Sequence, residues 1–264
     1  MRLAAGVEYD GSAFYGWQRQ RQSPTVQACL ETALGGIANH PVVVHGSGRT
    51  DTGVHARCQV FHFDTSARRS ERSWVLGANS SLHSAASLLW VRRVDERFHA
   101  RHSAASRRYR YRILNRRVRP ALDRGQLAWC RQPLDVERMA CAGQALLGEH
   151  DFSSFRAAGC QSISPVRSVH RFDVTRTGSE VFIDIEANAF VYHMVRNIVG
   201  SLIMIGTGEQ PETWLETLLA ARDRTVAGPT APARGLCFEA SRYPDYPALP
   251  IDQASDFPED DRTS

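Results

Sequence analysis

The segment SRRYRYRI, residues 106–113, restricts the fold of this chain more than any other stretch. Its side chains alternate strictly between two kinds. The apolar positions are Tyr109, Tyr111 and Ile113, and the charged positions are Arg108, Arg110 and Arg112. Successive side chains of a β-strand point to opposite faces of the sheet. The pattern therefore predicts a strand with one buried face and one face lined with arginine.

Further hydrophobic patterns predict that strands alternate with helices in two similar halves of the chain. In the first half the predicted strands are 3–9, 42–44, 59–64 and 87–94, and the predicted helices are 25–37 and 69–78. In the second half we expect a strand at 106–113, a hairpin of strands 169–176 and 181–187, and helices at 136–147, 192–205 and 211–221. The apolar stretch 189–206 contains His193, Arg196 and Asn197, which are costly in lipid, so we expect a core helix there.

Strands that alternate with helices and include hairpins predict an α+β fold, with mainly antiparallel sheets on a helical layer. The 264 residues suffice for two domains, which we expect at 1–104 and 105–246. The remaining tail, 247–264, is rich in acid and proline, and we expect it to be disordered. The six cysteines form no CxxC pair, so we expect no zinc site.

The chain contains no lysine, so all 32 basic side chains are arginine. This excludes enzymes that need a lysine Schiff base, a pyridoxal-phosphate anchor or a Walker lysine. The net charge of +4 is uneven, because residues 251–264 carry five acids and one arginine, which leaves +8 on the remainder. Nine arginines and no acid lie between Glu96 and Asp123. Such a run favours an anionic partner, such as nucleic-acid phosphate, over a merely solvated strand face.

The segment GSGRTDTGVHA, residues 46–56, holds the strongest candidate for chemistry. It places Arg49, Asp51 and His55 among three glycines, which permit tight turns and close approach of a ligand to the backbone. A nearby arginine keeps a carboxylate ionised at neutral pH, so Asp51 can serve as a nucleophile or as a base. The spacing fits equally well a structural Asp51 that caps a turn or a helix. We interpret His55 as structural.

Five segments, in order, resemble the bacterial tRNA pseudouridine synthase A family (the TruA family). They are YDGSAFYGWQRQ (9–20), GSGRTDTGVHA (46–56), FHARHSAASRRYRYRI (98–113), DFSSFR (151–156) and NAFVYHMVRNIVG (188–200). The second is similar to the active-site loop of that family, GRTDxGVHA. The likeness covers nearly the whole chain. It departs at His102, where the family usually has phenylalanine.

The resemblance implies the pseudouridine synthase fold, with a central active-site cleft, and it gives roles to five residues. Asp51 takes the place of the catalytic aspartate, and Arg49 that of a neighbour that helps to hold the target nucleotide flipped out. Tyr109 takes the place of the tyrosine that stacks on the target uracil. Arg196 takes the position of the arginine that pairs with the aspartate, and Leu236 that of an apolar residue lining the pocket.

The residues themselves support these roles in part. A tyrosine such as Tyr109 on a half-buried strand is more often a core aromatic, although a nucleobase stacks well on such a ring. Arg196 interrupts an apolar helix, and a buried arginine needs an anion, which Asp51 can supply. Alternatively, Arg196 reaches solvent at the helix end. Leu236 carries no signal of its own. Contacts to phosphate are expected from the charged strand face, through Arg108 and Arg110.

The resemblance further implies the reaction and the partner. Uridines 38, 39 and 40 in the anticodon stem-loop of tRNA become pseudouridine, when the bond from C1′ to N1 breaks and C1′ joins C5. No redox change occurs and no group is transferred, so we expect no cofactor and no metal. Asp51 can attack C1′ or remove the C2′ proton, and the sequence leaves both routes open. We expect a cytoplasmic homodimer that binds tRNA and no membrane.

Two other functions fit parts of the sequence. A non-catalytic RNA-binding protein needs only basic strands with alternating tyrosines, and Asp51 would then cap a loop. A hydrolase of nucleosides or sugars needs a second carboxylate. Glu149 and Asp151 are the nearest candidates, and both lie in what we predict to be a polar turn.

Overall fold

The computed structural model describes residues 1–251, so most of the expected disordered tail lies outside the described residues. Two compact units are present. Unit 1 comprises 1–52, 56–105 and the stretch from 240 onward, and unit 2 comprises 53–55 and 106–239. The boundary after residue 105 lies one residue from the predicted one. The stretch after 239, however, belongs to unit 1 and not to the second half.

Unit 1 is an antiparallel sheet with two helices. Strand β1 pairs with β3 and β4, and the short β2 pairs with β3. The strands are β1 Arg2–Tyr9, β2 Val44–Gly46, β3 His55–Asp64 and β4 Ala86–Val94, and the helices are α1 Val26–Ala38 and α2 Glu71–Ser81. The N-cap of α1 is Thr25, whose side chain accepts from the backbone N–H of Ala28. Each predicted element of this half is present, although β2 begins at the last of the three predicted valines.

Both faces of the unit 1 sheet are covered. Phe61 and Phe63 are fully buried, as the alternation predicted. The opposite face is buried as well, beneath residues that follow β4 and residues near the end of the described chain: Phe98, Ala100, Tyr243 and Leu249 pack there with Val60 and Trp90. Leu249 is 7% exposed. The expected disorder therefore does not hold for 247–251, because apolar side chains after Tyr243 complete a core.

The strands of unit 2 are mainly antiparallel and are covered by helices. Its strand order is β5–β9–β8–β7, with β6 parallel to β5. The strands are β5 Ser106–Asn115, β6 Ala128–Cys130, β7 Gly148–Asp151, β8 Val166–Thr177, β9 Glu180–Ala187 and β10 Leu236–Arg242, the last of which divides between the units. The helices are α3 Val136–Gly143, α4 Met194–Gly206 and α5 Trp214–Ala221.

The buried face of β5 is confirmed: Tyr109, Tyr111 and Ile113 are 8%, 0% and 0% exposed. The hairpin of β8 and β9 turns at Gly178, whose φ of 57° suits glycine. The predicted core helix is also confirmed, since ten of the 13 residues of α4 are buried. No helix among residues 1–251 is long and apolar enough to cross a membrane.

Two predictions for unit 2 were wrong. Helix α3 ends at Gly143 instead of residue 147, and a 3-10 turn, Gln144–Leu146, follows it. A Cβ at Gly143 would lie 1.9 Å from the ring of Phe172, so the helix ends where the backbone presses onto the sheet. The second error concerns Glu149 and Asp151, which lie in β7, paired with β8, and not in a polar turn.

His62 in β3 is a buried titratable group of unit 1. It is 2% exposed, and its Nδ1 accepts from the backbone N–H of Ala100 at 3.2 Å. Burial lowers the pKa of His62 to about 4, and the charges of His99, Arg2 and His45 act in the same direction. The folded unit therefore favours the neutral ring.

We predict that the free energy of unfolding decreases as the pH falls from about 6.5 to about 4, by roughly 3 kcal/mol from His62. The unfolded chain takes up a proton in this window that folded His62 resists. Urea unfolding across the window measures the effect. The His62→Asn variant keeps an acceptor for Ala100 but does not titrate, so its stability should depend less steeply on pH. Equal slopes in both proteins would contradict the prediction.

Candidate active site

The loop that carries Asp51 follows β2 and is held by buried polar groups of unit 1. The hydroxyl of Tyr9 lies 2.7 Å from Oγ1 of Thr50 and donates to Oε1 of Gln59 at 3.2 Å. Gln59 is fully buried, and its Nε2 donates to the carbonyl of Gly48 at 2.6 Å. These bonds fix the residues before Asp51, while Asp51 itself is half-buried. Arg49 is exposed.

The segment GWQ supports the loop from a second direction. The backbone N–H of Trp17 donates to the carbonyl of Thr50 at 3.0 Å. Gly16 has a φ of +84°, and a Cβ there would lie 2.7 Å from the same carbonyl oxygen. The ring of Trp17 packs on Gly46, where a Cβ would lie 2.6 Å from it. Glycine at both positions lets the two backbones approach each other.

The sequence patterns predict no role in the site for the supporting residues Tyr9, Trp17 and Gln59. The available signal was their place in the sequence: Tyr9 and Trp17 lie in the first of the five family-like segments, and Gln59 is a polar residue inside an apolar strand. His55 has the structural character we expected, since it is 7% exposed and its Nε2 lies 2.9 Å from the carbonyl oxygen of Gly125.

In unit 2 the ring of Tyr109 is packed edge to face between two other aromatic rings. Its centroid lies 4.9 Å from that of Phe190 and 5.1 Å from that of Phe238, at interplanar angles of 82° and 89°. Tyr109 is 8% exposed, and Leu236, at the start of β10, is 5% exposed. Both side chains thus have the burial of core residues, and their contacts to a nucleotide stay predictions.

Arg196 lies in the first turn of α4 and is half-buried. Its Nε donates to the carbonyl of Ala231 at 2.8 Å, and the N–H of Ala231 donates back to the carbonyl of Arg196 at 3.0 Å. Burial raises the pKa of Tyr111, and the positive charges of Arg196 and Arg234 counteract part of that rise. The pairing of Arg196 with Asp51 joins residues of different units and stays a prediction.

Asn197, beside Arg196, is a further residue that the sequence did not single out. It is fully buried. Its Nδ2 donates to the carbonyl of Phe155 at 2.8 Å, and its Oδ1 accepts from Thr230 at 2.7 Å and from Arg224 at 3.1 Å. One side chain therefore joins the segments DFSSFR and HMVRN to the chain before β10, which fixes the start of α4 and with it Arg196.

The charged face of β5 meets carboxylates inside unit 2. Arg110 binds both oxygens of Asp184, at 2.8 and 2.9 Å, and Arg112 lies 3.0 Å from a carboxylate oxygen of Glu180. The ion pair with Asp184 raises the pKa of Arg110. The mutual repulsion of these arginines is therefore relieved within the protein. Binding of phosphate by Arg108 and Arg110 stays a prediction.

Two sheet-plus-helix units and a glycine-rich loop with one aspartate fit a pseudouridine synthase, a class of isomerase. The family model described as tRNA pseudouridine synthase matches residues 5–103 and 142–244. The chain belongs to the tRNA pseudouridine synthase family. This membership favours the isomerase over the RNA-binding module and the hydrolase considered above.

The chain is similar along almost its whole length to curated bacterial proteins. It is 54% identical over 254 residues to tRNA pseudouridine synthase A of Xanthomonas euvesicatoria pv. vesicatoria (strain 85-10), covering 96% of this chain and 99% of that protein. It is 55% identical over 250 residues to tRNA pseudouridine synthase A of Nitrosococcus oceani, covering 95% and 96%. A solved structure of a Cbf5-Nop10-Gar1 complex aligns at 12% identity with a TM-score of 0.36, over 89% of this chain and 48% of that chain.

We predict that Gly16→Ala destabilises the protein by about 1–3 kcal/mol, because alanine at a positive φ is strained and its Cβ would meet the Thr50 carbonyl. Gly48→Ala is the matched control, since no atom lies within 4 Å of a Cβ built there. The control should change stability by less than about 0.5 kcal/mol. Urea unfolding compares the two, and equal effects would contradict the account of the loop.

Proposed function

We propose that this isomerase converts uridines 38, 39 and 40 in the anticodon stem-loop of tRNA, with Asp51 as its catalytic carboxylate. The observation that carries the proposal is the loop GSGRTDTGVHA. It resembles the active-site loop of the family, and buried bonds to Tyr9 and Gln59 fix the backbone beside a half-buried Asp51. A fixed backbone with an accessible carboxylate is what positioned catalysis requires.

The chemistry needs one carboxylate. Ionised Asp51 attacks C1′ of the uridine or removes its C2′ proton, and either route breaks the bond from C1′ to N1. The uracil turns and C1′ bonds to C5, while Asp51 leaves C1′ on the first route or the proton returns to C2′ on the second. The C5 proton then leaves and N1 takes up a proton, so atoms and electrons balance without a cofactor. The uridine must first leave its stack, which costs a few kcal/mol and must be offset by contacts to the RNA.

The remaining roles follow the resemblance. Arg49, exposed beside Asp51, helps to hold the flipped nucleotide, and Tyr109 stacks on its uracil. Arg196 pairs with Asp51 and keeps it ionised. Leu236 lines the pocket. Arg108 and Arg110 are the candidates for phosphate contacts on β5, and the bond to Asp184 makes Arg110 the weaker of the two.

The test is pseudouridine mapping on unmodified tRNA, incubated with the wild type or with a variant and without added cofactor. Pseudouridine is expected at positions 38–40 with the wild type. Asp51→Ala should lower the rate by a factor on the order of 10³ or more, while tRNA binding persists. Glu149→Gln is the matched control, because it removes an exposed carboxylate of β7 and should leave the rate unchanged. An active Asp51→Ala variant would refute the assignment.

We also propose that the chain forms a homodimer and acts in the cytoplasm, as the resemblance implies. Sedimentation at micromolar concentration should then give twice the chain mass of 29.4 kDa, with one tRNA lying across both subunits. A mass of one chain at every concentration tested, in protein that is active on tRNA, would contradict the dimer.

A further inference from the structure

The loop that joins β5 to β6 concentrates positive charge. We call residues 116–125 the basic loop. It holds four arginines and one acid, Asp123, so its net charge is +3. The arginines of the loop are Arg116, Arg117, Arg119 and Arg124, and all four are exposed.

The arginines of the basic loop differ from those of β5 in their partners. Arg110 and Arg112 form ion pairs with carboxylates of β9. In the basic loop, Arg116 donates through Nε to the carbonyl of Val118 at 2.9 Å. The side chains of Arg117, Arg119 and Arg124 form no hydrogen bond or ion pair with any residue in the described range 1–251. Among the described residues, therefore, nothing occupies the donors of these three exposed guanidinium groups.

The basic loop is nevertheless anchored at both of its ends. Nε1 of Trp129 donates to the carbonyl of Arg116 at 2.8 Å. The carbonyl oxygen of Gly125 lies 2.9 Å from Nε2 of His55, which belongs to the segment GSGRTDTGVHA. Fixed ends limit the backbone entropy that the loop loses when it binds a ligand. The buried His55 thereby joins the basic loop to the segment that carries Asp51.

The chemistry of the basic loop suits a nucleic-acid backbone. Guanidinium groups bind phosphate oxygens through paired N–H donors. Two apolar side chains lie among the arginines, Val118 at 70% and Leu122 at 85% exposure. Apolar side chains of this kind pack on unstacked bases and into the minor groove. A loop that has both arginines and exposed apolar side chains therefore suits RNA as its partner better than it suits a purely acidic protein surface.

We propose that the basic loop binds the phosphate backbone of the tRNA substrate, through Arg117, Arg119 and Arg124. The inference rests on the proposed function, because it takes tRNA as the ligand. It moves the main phosphate contacts from the face of β5 to the loop that follows it. The family model does not match this part of the chain, since its two matches end at 103 and begin again at 142.

The test compares two triple variants of the full chain. Arg117→Gln, Arg119→Gln and Arg124→Gln together neutralise the loop. Arg68→Gln, Arg69→Gln and Arg72→Gln remove the same charge from exposed positions of unit 1. The Kd for unmodified tRNA is measured against salt concentration, and kcat is measured at saturating tRNA. The loop variant should raise Kd at least about tenfold at about 0.1 M salt and lower the slope of log Kd against log salt by about 2.

The control variant should keep the wild-type Kd within about threefold, and the kcat of the loop variant should stay within about twofold of the wild type. A loop variant with an unchanged Kd and salt slope overturns the proposal, and so does an equal loss in the control. If the triple variant fails to fold, the three single variants replace it, each with an expected slope change of about 0.7–0.9. Binding is read without turnover, so a wild type that binds tRNA but makes no pseudouridine at 38–40 refutes the proposed function only.

Discussion

The site depends first on the buried hydrogen bonds that connect Tyr9, Thr50 and Gln59. They lie inside the sheet of unit 1, where a polar group that loses its partner costs about 1–3 kcal/mol. The loop therefore has one stable arrangement, and Asp51 is presented from it without being buried. Trp17 and Gly16 add a backbone contact from the neighbouring segment. The carboxylate that we propose as catalytic is thus positioned by residues to which the proposed reaction gives no chemical role.

Electrostatics divides the many arginines of this chain into two groups. Arg110 and Arg112 of β5 are balanced by Asp184 and Glu180, so they stabilise the sheet of unit 2. The arginines of the basic loop form no ion pair with a carboxylate in residues 1–251, so they can bind an external anion. The proposed reaction includes the cost of flipping a nucleotide, and arginines of the second group can offset that cost by binding phosphate. The distribution of charge along the chain indicated an anionic partner, but only the pairing within the sheet shows which arginines are available.

Much of the fold followed from the sequence because its signals are local. The alternation in β5, the hairpin of β8 and β9 and the apolar helix α4 each depend on neighbouring residues. The errors arose where distant parts of the chain meet. Helix α3 ends early because Gly143 contacts Phe172, and residues near Leu249 are ordered because they cover Phe98 and Trp90. In the site, the motif predicts Asp51 as the candidate carboxylate. Gln59 and Asn197 act instead through hydrogen bonds to residues that are distant in sequence, and no spacing pattern predicts such bonds.

Release of the C5 hydrogen tests the central claim most directly, because isomerisation must expel it and simple binding cannot. Unmodified tRNA labelled with tritium at C5 of uridine is incubated with the wild type and with Asp51→Asn, which keeps the size of the side chain but removes its charge. We expect the wild type to release tritium up to the number of target uridines, and the variant to release none. Release by the variant at the wild-type rate, or no release by the wild type, would contradict the claim.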